Sequence, residues 1–229
     1  MNSLELTGRS NSHLVRHAAL SFTAEKETGE AFAAMREEAF KEGIELAAVS
    51  SYRSFDDQMK IWNDKFSGKR TLYDLKGKEL AFASLSREQL IHAILSWSAL
   101  PGASRHHWGT DIDVIDQRAV PEGYHIQLIP QEYGTDGVFY PLSLWMEQHI
   151  QRFGFFKPYR EYRGGVCAEP WHLSYAPVSQ KLLKELSLEM IGEAIAESTL
   201  MGKEDVLEIL PEIYTAYVLT ICDDQVTPV

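Results

Sequence analysis

The chain has 229 residues and a formal net charge of −11, with 45% hydrophobic and 11% aromatic residues. This length supports a single domain with a sizeable core, and the acidic balance argues against a phosphate-rich partner, since nucleic-acid binding draws on Lys and Arg; no nucleic-acid role is expected. The composition is that of a folded globular protein, and no apolar run is long enough for a membrane span.

From Met1 to Ser12 there is neither a basic leader nor an apolar stretch of signal-peptide length, so a cytoplasmic protein is expected, or a periplasmic one if a leader has been trimmed. Ala31, Phe32, Met35, Ala39 and Phe40 recur at helical spacing, which predicts a helix from Ala24 to Glu42 ending at Gly43. Ile44–Val49 is short and apolar and predicts a buried strand that delivers Ser50–Ser54 at its end. Ser54 or Asp56 can cap a second helix carrying Gln58, Ile61 and Trp62. A third helix is predicted from Arg87 to Trp97, with Pro101-Gly102 as the turn that follows. Thr110–Ile115 alternates polar and apolar residues, which places Asp111 and Asp113 on one face of a strand and Ile112 and Val114 in the core.

Pro121–Gly137 reads as a surface excursion, and Leu142–Arg152 as a helix stopping near Gly154. Phe155-Phe156 and Trp171–Tyr175 are predicted strands around a Gly164-Gly165 turn. Ser179–Leu200 reads as one or two helices, Gly202 as a terminator before a helix from Lys203 to Leu210, and Tyr214–Cys222 as a β-prone segment. Cys167 and Cys222 suit reduced thiols. The expected architecture is an α+β fold: a small, mainly antiparallel sheet flanked by helices, with the metal site on the sheet. Residues 1–177 form the main domain, and 178–229 a helical extension packed on it.

Chemistry concentrates in two segments, Ser104–Asp113 and Glu169–His172. His106 and His172 are imidazole ligands of the type zinc favours, and Asp113 adds an oxygen donor. Three such ligands leave a position open for water, whose pKa zinc brings towards about 7. Either histidine alone reads more readily as a hydrogen-bonded core residue; it is the set that points to a metal. Glu169 is positioned to act as general base and Arg53 to hold an oxyanion. Asp111 shares a strand face with Asp113 and can contact the substrate, support a ligand from behind or compete as a ligand; spacing favours Asp113. His107 is expected to point away as a structural residue, and Trp108 and Trp171 to wall the pocket.

Ser104-x-His106-x-x-Gly109-x-x-x-Asp113, Glu169-x-x-His172 and the upstream Ser51-Tyr52-Arg53-Ser54-x-x-x-Gln58 together resemble the VanY-type D-alanyl-D-alanine carboxypeptidases, within the LAS group of zinc peptidoglycan peptidases. The resemblance covers roughly residues 30–175. It implies zinc on His106, Asp113 and His172, Glu169 as catalytic base, Arg53 as transition-state stabiliser, and Ser104, Gln58 and Tyr52 on the substrate side. It also implies release of a terminal D-alanine from peptidoglycan stem peptides or muropeptides, by D,D- or L,D-cleavage, in wall turnover or recycling. The sequence departs from the pattern at Asp111, where the family usually has alanine. Two other readings stand beside this one: a non-haem Fe(II) oxygenase using the same two histidines and carboxylate, and a metal-binding module that has lost turnover.

Overall fold

The structure, a computed structural model, describes residues 1–222. In chain order the elements are α1 (Ser3–Leu6), β1 (Val15–His17), β2 (Phe22–Ala24), α2 (Lys26–Lys41), β3 (Leu46–Ser50), α3 (Phe55–Phe66), α4 (Arg87–Leu95), β4 (Asp111–Asp116), α5 (Pro130–Tyr133), α6 (Tyr140–His149), β5 (Phe155–Phe156), β6 (His172–Tyr175), α7 (Ala176–Glu185), α8 (Leu188–Ala196), α9 (Lys203–Glu208) and α10 (Leu210–Ile213). The fold is α+β. β3, β4, β6 and β5 lie side by side in that order, every pair antiparallel, and β1 with β2 forms a separate hairpin.

Local chemistry accounts for the helix starts. Ser54 caps α3 and Ser86 caps α4, each in a reciprocal capping box, with Asp57 and Gln89 respectively. The predicted Ser179–Leu200 helical segment is two helices because the chain turns at Leu186 and the Ser187 side chain then caps α8. Two clusters make the core. One joins the inner face of the sheet (Leu46, Ile112, Val114, Leu173) to α2 and α6 through Phe32, Met35, Leu142 and Met146. The other gathers Trp62 and Phe66 of α3, Ile91, Ile94 and Leu95 of α4, and Ile191, Ile195, Val206, Leu210 and Ile213 of the C-terminal helices.

Tyr214–Cys222 is not a strand. Tyr214–Leu219 winds as a π-helical turn, because its side chains close the second cluster and pair with no sheet: Val218 is buried, the Tyr214 hydroxyl donates to the Leu186 carbonyl at 2.7 Å, and the Tyr217 hydroxyl meets His92 Nδ1 at 2.9 Å. Beyond it, Cys222 N–H donates to the Pro158 carbonyl. The C-terminal segment therefore backs the loop that leads to Glu169. Positions 223–229 of the expected extension lie outside the described residues. No helix among the described residues is long and apolar enough to cross a membrane.

Candidate active site

Three local irregularities bring the site together. β3 pairs with β4 in a register that slips between Ala48 and Ser50, so Ser50 lies opposite Asp113 and the chain bends into the Ser51–Ser54 loop. A 3-10 turn, Arg105–Trp108, carries His106 and ends at Gly109, whose φ of 70° and close approach to Glu25 N exclude a side chain; an added Cβ would lie 2.7 Å from that nitrogen. His172 opens β6 directly opposite Asp113. Backbone bonds lock the pieces: Arg53 N–H donates to the His106 carbonyl, Glu169 N–H to Tyr159, and His172 N–H to Glu169.

The candidate metal-binding atoms of His106, Asp113 and His172 all lie within 4.8 Å of one another. His106 Nδ1 donates to the Ser51 carbonyl at 2.7 Å, which leaves Nε2 facing Asp113 Oδ2 at 3.5 Å. His172 Nε2 donates to Asp111 Oδ1 at 3.0 Å, which leaves Nδ1 at 3.3 Å from Asp113 Oδ1 and 3.2 Å from Glu169 Oε2. Each imidazole is thus held from behind through one nitrogen and offers the other to the centre, the arrangement of metal-ligating histidines. Asp113 Oδ1 is buried without a hydrogen-bond partner, an expensive condition that a cation would relieve.

The electrostatics agree with that fit. Burial alone would make His172 hard to charge, yet its hydrogen bond to Asp111 and the adjacent carboxylates of Asp113 and Glu169 raise its pKa well above the ordinary value: this point favours positive charge. His106 goes the other way, brought down to about 4 by burial, so it is a neutral imidazole. Burial raises the Glu169 carboxyl, while His172 opposes the shift; the group is able to hold a proton.

Arg53 reaches the same centre. Its Nη1 donates to Gln58 Oε1 at 2.8 Å, its Nη2 to Ser50 Oγ at 2.9 Å, and Nη2 stands 4.0 Å from Asp113 Oδ2. A cleft of about 640 Å³ opens over these groups and is lined by Arg53, Ser104, His106, Asp113, Glu169, Trp171 and His172, among others.

Three residues expected on the substrate side are directed elsewhere. Gln58 is fully buried; its amide donates to the Ala99 carbonyl at 2.7 Å and its oxygen accepts from Arg53, so it positions the guanidinium and does not line the cleft. Tyr52 faces a separate groove with Ser54 and Met59. Asp111 is 0% exposed and its oxygens are taken up by His172, Arg105, Thr110 and Ser174, so it supports a ligand from behind. Trp108 is likewise wholly buried, with its indole donating to the Leu6 carbonyl, and Trp171 alone of the two tryptophans lines the cleft. His107 points away, as expected: Nδ1 donates to the Arg53 carbonyl, Nε2 accepts from Gly102 N–H, and burial holds it near a pKa of about 3.

Sequence reading missed Arg105, whose Nε donates to Asp111 Oδ1 at 2.8 Å and whose Nη2 donates to Ser174 Oγ at 2.6 Å. It also missed Tyr159, whose ring packs edge-on against His172 with centroids 5.0 Å apart. The available signal for Arg105 was the acid at position 111, which needs a buried cation nearby.

Residues 21–178 match the model of the VanY family, D-alanyl-D-alanine carboxypeptidase. The chain belongs to this family. A D-alanyl-D-alanine carboxypeptidase of Enterococcus faecalis is 27% identical over 140 residues, covering 60% of this chain and 42% of that one. The structure of the LdcB LD-carboxypeptidase superposes with a TM-score of 0.52 at 27% identity, covering 82% of this chain and 80% of that one. A VanY D,D-pentapeptidase structure in complex with Zn(II) gives a TM-score of 0.50 at 22% identity, over 79% of this chain and 89% of that one. The VanY-family chain thus shares the fold of peptidoglycan carboxypeptidases, which are hydrolases.

Proposed function

We propose that this VanY-family chain is a zinc carboxypeptidase that releases C-terminal D-alanine from peptidoglycan stem peptides in wall turnover. One observation carries the reading: two inward-facing imidazole nitrogens and a partnerless carboxylate oxygen converge beside Glu169, at the floor of a cleft that also presents Arg53. His106 through Nε2, Asp113, and His172 through Nδ1 would hold the ion. When bound, zinc polarises the scissile carbonyl and acidifies the attacking water.

The protein's own groups supply the rest. Glu169, its carboxyl raised by burial, takes the proton of the attacking water and delivers it to the departing amine. Arg53, held by Gln58 and Ser50, keeps a fixed guanidinium facing the oxyanion as the carbonyl becomes tetrahedral, where preorganised donors contribute most. Asp111 fixes the ring orientation of His172, and Trp171 and Tyr159 wall the cleft and limit water. An Fe(II) oxygenase would use the same three ligands but give no role to Glu169 or Arg53. An inactive module would not need a general base in place.

The test is D-alanine release by purified metal-loaded protein from tri-, tetra- and pentapeptide stems, with and without chelator. Release from the tetrapeptide alone marks L,D-cleavage, and from the pentapeptide D,D-cleavage. Chelator-resistant release, or none from any stem, overturns the proposal.

A further inference from the structure

We propose that the ammonium of Lys65 anchors the free C-terminal carboxylate of the substrate, and so makes the cleft an exopeptidase site. The inference rests on the carboxypeptidase reading above and adds a specificity-determining residue to it. Lys65 lies in the last turn of α3, seven residues after Gln58 and so on the same helix face, where it lines the cleft together with Ile61. Its Nζ donates to Ser98 Oγ at 2.7 Å, and among the described residues no carboxylate comes within 4.0 Å of it. An ammonium has three protons to donate, and this one is half-buried with a single hydroxyl as protein partner. Such a group is costly unless an anion completes it.

Of the other cleft cations, Arg105 is bound to Asp111 and Ser174, and Lys76 is exposed. Arg53 is bound to Gln58 and Ser50 and faces Asp113. Arg70 leans out to Asp64, at 3.8 Å and well exposed. Lys65 and Glu169 line the same cleft; burial lowers the Lys65 pKa and the Glu169 carboxylate opposes that shift. Position then assigns the anion. Glu169 delivers its proton to the leaving amine, and in a carboxypeptidase substrate that amine and the terminal carboxylate belong to the same small residue, two bonds apart. A cation for that carboxylate must therefore share the cleft with Glu169, and Lys65 lines that cleft with a single protein partner.

The experiment uses a Glu169→Gln background so that peptide stays intact, and titrates calorimetrically a stem tetrapeptide ending in D-alanine and its C-terminal amide. With Lys65 present, the acid is expected to bind about 30-fold or more tighter than the amide. Lys65→Met should abolish that preference by weakening the acid while leaving the amide unchanged, and Lys65→Arg should retain it. In the otherwise unaltered enzyme, Lys65→Met should raise KM for the acid more than it lowers kcat. Equal weakening of acid and amide, or an acid preference that survives Lys65→Met, overturns the inference while leaving the carboxypeptidase reading intact. Failure of that reading shows differently: the unaltered enzyme releases no D-alanine from any stem, and the inference falls with it.

Discussion

The buried Arg105–Asp111 pair offers a test in which stability and metal affinity should separate. The two side chains are 4% and 0% exposed and 2.8 Å apart, and Arg105 also lies over the Trp108 ring. Asp111→Ala leaves a desolvated guanidinium without its counter-charge, and Arg105→Met leaves a carboxylate in the same condition. Breaking one side of such a pair costs about 3–5 kcal/mol, whereas exchanging both partners for apolar groups is often nearly neutral. Each single variant of the metal-free protein should therefore unfold at a urea midpoint lower by about 1–2 M. The double variant should recover most of that loss, giving a coupling energy of at least about 2 kcal/mol. Zinc affinity should behave otherwise. Asp111 Oδ1 accepts the His172 Nε2 proton at 3.0 Å, and a methyl side chain at that position cannot; Asp111→Ala, alone or combined with Arg105→Met, should bind zinc about 10–100-fold more weakly in a competition titration. Additive stability losses around the cycle would refute the pairing argument. Recovery of zinc affinity in the double variant would refute the assignment of Asp111 as the orienting acceptor of His172.

Glu169→Gln should lower kcat/KM by about 10²–10⁴-fold while retaining one bound metal per chain by elemental analysis; loss of the metal would make Glu169 a ligand instead of a proton carrier. Gln58→Ala removes the acceptor that holds Arg53 Nη1 and should reduce kcat about tenfold or more with little change in KM, whereas a rise in KM alone would return Gln58 to substrate binding. Metal removal by chelator should abolish D-alanine release and zinc alone should restore it; restoration by Fe(II) but not zinc would overturn zinc as the metal of the hydrolase. Burial brings the Lys65 pKa down from 10.5 to about 8. As pH falls through that window the unfolded chain takes a proton that the folded chain resists, so stability contributed at high pH is lost between about 10.5 and 8 and stays lost below. Lys65→Met should remove that slope and raise stability at pH 7 by about 2 kcal/mol, a shift that urea unfolding at about pH 7 and about pH 10 would detect.

The parts of the molecule that sequence exposes are those with a strong period or a fixed local chemistry. α2 and α3 show their apolar spacing, α3 also its cap, and Asp111–Asp116 shows its alternation; the candidate ligands of the site sit on or beside these regular elements. Elements governed by tertiary contact are silent. α1 and the β1–β2 hairpin are built from runs of three or four residues and carry no readable period, yet Leu6 takes the Trp108 indole hydrogen bond and Gly8 accepts the Phe55 N–H that begins α3. The β-prone run after Tyr214 winds as a helix because aromatic and β-branched propensity is a weak preference, and here burial in a helical cluster outweighs it.

The residues assigned to the substrate side show a different limit. Adjacency in a motif does not tell which way a side chain faces: Gln58 and Asp111 lie within the diagnostic patterns and both are sealed behind the groups that touch the cleft, while Lys65 lies outside every pattern and lines it. Asp111 contains the clue to its own role. An acid placed in a fully buried strand, where the family pattern has a small residue, requires a cation to neutralise it and donors to satisfy both oxygens. Arg105, in the same segment, provides the first; His172, Thr110 and Ser174 provide the rest. Asp111 therefore acts as one half of a buried pair with Arg105 that fixes the His172 ring, and its energetic consequence lies in the pair and not in either residue alone.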